Sequence, residues 1–171
     1  MIPLSDGQYA AIGRVAVESG TLEREIEEYL ERLGTDRKSI AHKGLTKKLK
    51  LLRRALNTTP RPHHGSSEFE FVLTMIARII EKRNTVVHGV WSPVSNAPVA
   101  LGEVAARGRK VSLRATEVES VGVCLRRARK LLLRLFHDRC PAAVGTKRCP
   151  RHGYAILKQE FLRACRNRTP K

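Results

Sequence analysis

Four stretches of this chain repeat apolar side chains every three and four positions, and that spacing limits the possible folds more than any other feature. In the first, Ile12, Val15, Ala16, Ser19, Leu22, Ile26, Tyr29, Leu30 and Leu33 share one side of a helix that Ser5 or Asp6 caps and Gly34 ends, with Gly20 allowing a kink. The second, "LTKKLKLLRRAL", predicts a basic helix from about Leu45 to Leu56. The third puts Phe69, Val72, Leu73, Ile76, Ile79, Ile80 and Val87 on one stripe; Ser66 or Ser67 opens it, and Gly89 suits a left-handed cap after His88. The fourth, "TEVESVGVCLRRARKLLLRLF", carries Val118, Val121, Leu125, Ala128, Leu132 and Leu135, with Thr116 and Glu119 in capping-box spacing. A one-sided helix has to bury its stripe, and four of them do so most simply as a bundle. Aromatic residues are 5% of the chain against 42% hydrophobic overall, so the core is aliphatic, which favours packed helices over a sheet sandwich.

Between the third and fourth helices the texture changes. "VWSPV", "PVALGEVAA" and "KVSLRAT" are short, valine-rich and alternating, with turn residues between them. The expected fold is therefore mainly α: a four-helix bundle with a small β-hairpin or meander inserted before the last helix, at about residues 90–116. Residues 1–138 form the helical domain and 139–171 a basic C-terminal tail, which holds nine basic residues and one acid.

Charge narrows the partner. Lys and Arg total 33 against 16 Asp and Glu, a formal charge of +17. Residues 1–33 hold seven acids and three basic residues, a net of −4, so the remainder carries +21. Such a balance points to a polyanion, and the basic runs supply the candidate contacts: Lys47, Lys48, Arg53 and Arg54 in the second helix, and Arg126, Arg127, Arg129 and Lys130 in the fourth. The first residues lack the charged and apolar regions of a signal peptide, and no window reaches the ~18 apolar residues of a membrane span. With four scattered cysteines and no secretory signal, the expectation is a cytoplasmic protein without disulfides and without a membrane partner.

The third helix ends in "EKRNTVVHGVW". With Ile79 at 0° on a helical wheel, Arg83 falls at about 40°, inside the apolar stripe, while Asn84 and His88 share a face at its edge. An arginine there is costly to bury alone, so it calls for an inward acid or a second molecule over it. Glu23 is the candidate acid, because it breaks the stripe of the first helix in the same way; its other reading is an ordinary acid at a helix border.

Arg-Asn-x-x-x-His at the end of the third helix of an all-helical domain resembles the HEPN superfamily, whose signature is Arg, then four to six residues, then His. Arg83, Asn84 and His88 match it with four residues between Arg and His. The following "GVW", the strand-like insertion and the opening "IGRVAVESGTLEREIEEYL", with its inward Glu23, are similar to one HEPN branch. The resemblance covers about residues 5–138. It implies a homodimer in which Arg and His from two motif helices build one site. It implies RNA cleavage without a metal or other required cofactor, leaving a 2′,3′-cyclic phosphate; other members bind RNA or nucleotides without cutting. In that chemistry His88 is the base or acid, Arg83 stabilises the phosphorane charge and Asn84 orients the phosphate or His88, with Glu23 in support. The expected roles are a toxin or phage-defence effector, with an antitoxin or inhibitor protein as a further partner, or else a regulatory module that binds without cutting.

One other constellation stands apart. His137, Cys140, Cys149 and His152 have the form His-x2-Cys-x8-Cys-x2-His, a donor set suited to a tetrahedral structural zinc that would order the tail. The competing reading is a basic tail with incidental Cys and His. No phosphate-binding glycine loop, dinucleotide fingerprint, serine elbow or paired-carboxylate signature is present.

Overall fold

The structure, a computed structural model, describes residues 4–58, 66–93, 101–106, 109–137 and 159. It is mainly helical, and its elements run α1 (Asp6–Arg32), α2 (Arg37–Ala41), α3 (Leu45–Thr58), α4 (Ser66–His88), β1 (Val90–Pro93), β2 (Leu101–Ala106), β3 (Arg109–Arg114) and α5 (Ala115–His137). The four expected helices are α1, α3, α4 and α5. The five-residue α2 was not expected; it is too short for any apolar period and buries one side chain, Ile40.

Both ends of α1 are closed by their own sequence. Ser5 is the N-cap, and it and Gln8 form a reciprocal capping box, which places the cap at Ser5 and not Asp6. Gly34, with φ of 84°, takes the left-handed turn, so that its N–H donates to Glu31 O and the Thr35 N–H to Leu30 O, both at 2.9 Å. At the start of α5 the Arg114 N–H donates to Glu117 Oε2 at 2.6 Å, two residues ahead of the expected Thr116–Glu119 spacing.

The stripes meet in one aliphatic core. Leu22, Ile26 and Leu30 of α1, Leu52 of α3, Phe69, Leu73, Ile76 and Ile80 of α4, and Leu125, Leu131 and Leu132 of α5 are all fully or almost fully buried. Truncating any of these leucines to alanine costs about 2–5 kcal/mol. At its lower end the stripe of α4 is rotated by one position from the expected one: Val86 is buried and Val87 only partly so. The stacked rings of Tyr29 and Phe136 lie 3.7 Å apart, with Phe69 edge-on to Phe136. Across the α1–α5 seam, Arg14 pairs with Glu119 at 2.8 Å, Glu18 with Arg126 at 2.6 Å, and Glu25 with Arg129 at 3.4 Å. Glu18 and Glu25 of α1 thus serve as counterions to the arginines of α5.

The insertion is a three-stranded antiparallel meander in the order β1-β2-β3. Trp91, Val104 and Val111 form one row across it, graded from partly buried through fully buried to exposed. Val104 lies against the end of α4. A Cβ on Gly89 would come 2.0 Å from Val104 Cγ2 and 2.4 Å from the Thr85 carbonyl oxygen, so only glycine fits there. Gly89 is therefore not the expected left-handed cap, since its φ is not in that region; close approach of strand to helix requires it.

Candidate functional site

The last turns of α4 carry Arg83, Asn84 and His88, and three ties fix this helix end. The Gly89 N–H donates to Thr85 O at 3.1 Å, the Trp91 indole N–H donates to Val86 O at 2.7 Å, and Val104 packs on Gly89. A helix ends with carbonyls that lack intrahelical donors, and the Trp91 indole satisfies one of them. "GVW" is thus a clamp that anchors the motif helix to the sheet.

The three polar side chains form one constellation. Arg83 Nη1 lies 3.0 Å from Asn84 Oδ1 and 3.0 Å from His88 Nε2. A guanidinium only donates, so Nε2 accepts and the His88 proton resides on Nδ1. His88 is exposed, whereas Arg83 and Asn84 are half-buried. Burial lowers the pKa of Arg83, and the field of Glu23 opposes that shift. Arg83 Nε is buried without a hydrogen-bond partner, and among the described residues no carboxylate pairs with this guanidinium.

Glu23 does not hold Arg83, contrary to the expected pairing. Its carboxylate accepts from Lys48 Nζ at 2.6 Å, and Glu27 accepts from the same ammonium at 2.5 Å. Burial opposes the charge on Lys48, but hydrogen bonds to Glu23 and Glu27 outweigh it and raise its pKa above the usual lysine value. Lys48 is thereby corrected as an RNA contact, because its side chain is 4% exposed and spent between two acids. The wheel contained the signal: Lys48 falls about 40° from Leu52, at the edge of the apolar stripe of α3.

The remaining basic candidates divide. Arg53 bonds Glu70 and Thr74 on α4, Arg126 bonds Glu18, and Arg129 reaches Glu18 and Glu25, so these three are engaged by the bundle itself. Lys47, Arg54 and Lys130 are exposed, and none of them forms an ion pair among the described residues. Arg127 is half-buried on α5. Of the zinc candidates, Cys140, Cys149 and His152 lie outside the described residues, as does the side chain of His137. Among the described residues no group of three or more His, Cys, Asp or Glu side chains is placed to hold a metal ion. No described helix is long and apolar enough to cross a membrane.

The fold and site define a class in physical terms: a mainly helical bundle with a small sheet that clamps an Arg-Asn-His cluster at the end of one helix. Comparison with family models, with curated proteins and with solved structures finds no match to this chain.

Proposed function

We propose that this protein is a HEPN-type endoribonuclease that cleaves RNA without a metal ion, at a composite site where the Arg83, Asn84 and His88 clusters of two protomers meet. The observation that carries the reading is the guanidinium of Arg83, 3.0 Å from His88 Nε2 and, among the described residues, without a carboxylate partner.

In the reaction, the 2′-hydroxyl of a ribose gives its proton to a His88 Nε2, and its oxygen bonds to the adjacent phosphorus. The P–O5′ bond breaks, and the second His88, protonated, returns a proton to the leaving oxygen. The products are a 2′,3′-cyclic phosphate and a 5′-hydroxyl. Proton transfer by a positioned imidazole contributes about 10²–10⁴-fold. Negative charge gathers on the equatorial oxygens, where a guanidinium with open donors stabilises it through paired hydrogen bonds. Asn84 keeps Arg83 aimed along the helix. Lys47, Arg54 and Lys130 offer exposed positive charge for the RNA backbone, with the salt dependence that such contacts carry. Two-fold pairing of the α4 ends would also cover the half-buried Arg83. A toxin or defence role, checked by an inhibitor protein, is the setting in which an enzyme of this kind is held in control.

Purified protein incubated with RNA in EDTA tests the proposal. Cleavage with cyclic-phosphate ends is expected. His88→Ala should reduce its rate at least about 100-fold while dimer formation and RNA binding remain. RNA binding without cleavage by the wild type would instead make the chain a binding module.

A further inference from the structure

Lys48 sits at the contact of α1 and α3 and holds two acids of α1, yet the reaction proposed above makes no use of it. Lys48, Glu23 and Glu27 form one ion-paired group. Arg83 feels the field of Glu23 but makes no ion pair with it, and that carboxylate accepts from Lys48. Arg83 Nε remains buried without a partner. A desolvated guanidinium beside an unengaged carboxylate would ordinarily pair with it. The ammonium of Lys48 prevents this by engaging Glu23 and Glu27 together.

We propose that Lys48 is a positioning residue: by holding Glu23 and Glu27, it keeps the Arg83 guanidinium free of a carboxylate and open to a phosphate group. The proposal rests on the nuclease reading for the identity of the anion, but it concerns anion capture and not cleavage. The neighbouring groups support it. On α4, Asn84 Oδ1 and His88 Nε2 contact Arg83, and since neither side chain carries negative charge they leave its charge uncompensated. On α1, Glu27 is a second carboxylate for Lys48, so one acid stays attached to the ammonium if the other moves. Lys48 therefore acts through the two acids and does not touch the substrate.

Inorganic phosphate is the probe, titrated into the full-length protein while the His88 ring and the Arg83 Nε–H are followed by NMR. In the wild type, phosphate should shift both signals. In Lys48→Met, Glu23 should take Arg83 Nε, moving its N–H resonance before any phosphate is added and weakening phosphate binding roughly tenfold, the worth of about 1.4 kcal/mol. Lys48→Met combined with Glu23→Gln should return both the resonance and the affinity, and Lys48→Arg should keep them. If Lys48→Met does not fold, Glu23→Gln alone decides: phosphate should bind it as tightly as the wild type or more tightly, since the competing acid is gone. Weaker binding to Glu23→Gln would overturn the proposal. So would Lys48→Met affinity within about twofold of the wild type, or a wild type with no phosphate response at these two side chains. A wild type that binds phosphate there yet cuts no RNA would overturn the nuclease reading and leave the role of Lys48 standing.

Discussion

Replacing Gly89 with alanine adds one methyl group at the joint between α4 and the sheet. That carbon would stand 2.0 Å from Val104 Cγ2 and 2.4 Å from the Thr85 carbonyl, where ordinary contact begins near 3.4 Å. Val104 is fully buried and cannot swing into solvent, and the Thr85 oxygen belongs to the last turn of the helix. Either β2 moves away by more than an ångström or that turn unwinds. Overpacking of this kind costs about 1–3 kcal/mol, and a backbone obstacle places the change near the upper figure. For a chain of this size that lowers Tm by roughly 6–12 °C. Gly20 is the internal control: it is exposed within α1 and a Cβ there meets nothing within 4 Å. Gly20→Ala should therefore stabilise by about 0.5–1 kcal/mol, the helix-propensity difference. Urea unfolding followed by circular dichroism gives both signs in one experiment, with equal slopes expected. A Gly89→Ala midpoint at or above the wild type would refute the close approach of β2 to α4. Adding Val104→Ala to Gly89→Ala should recover only part of the loss, because the Thr85 carbonyl obstacle remains. If the proposed nuclease reading holds, RNA cleavage by Gly89→Ala should also fall, since His88 is the neighbouring residue.

Two further substitutions probe the same bundle. Trp91→Phe removes the indole donor to Val86 O, costing about 1 kcal/mol, and it should speed amide hydrogen exchange at the end of α4 more than elsewhere; uniform acceleration across the helix would argue against a local clamp. Burial raises the pKa of Glu25, although Arg129 lies 3.4 Å away and opposes the shift. With the folded pKa above the unfolded one, the contribution of Glu25 is favourable at low pH and is lost as pH rises through the folded pKa. Glu25→Gln should accordingly melt at or above the wild-type temperature near neutrality, with the difference closing by about pH 3, where both carboxyls are protonated. A clear destabilisation at neutral pH would mean that the Arg129 pair outweighs the burial.

Much of the frame was legible because it is local. The spacing of Leu22, Ile26 and Leu30, or of Ile76 and Ile80, is a property of a single helix and can be counted along the chain. The same holds for Arg83, Asn84 and His88: Asn84 and His88 share a face four positions apart, and the long side chain of Arg83 on the same helix reaches both. The Ser5–Gln8 box and the Gly34 turn close within three or four residues. The α2 helix escaped notice because five residues carry no period.

The partner of Glu23 could not be read in the same way. Glu23 and Lys48 are 25 positions apart, and they meet only because α3 lays its N-terminal half against the middle of α1. The stripes announced that an acid and a lysine were misplaced, but the choice between Lys48 and Arg83 depends on how two helices are set side by side. Gly89 shows the same limit, since its need for a bare α-carbon comes largely from Val104, a residue on β2. Arg53, Arg126 and Arg129 looked like free surface charge until neighbouring helices brought Glu70, Glu18 and Glu25 beside them. The sequence by itself determined the helices, their buried faces and the Arg-Asn-His cluster, because backbone periodicity and short-range hydrogen bonds set all three. Tertiary structure alone decided which charges cancel and which stay open, because ion pairing depends on distances that only the packing of helices and sheet creates.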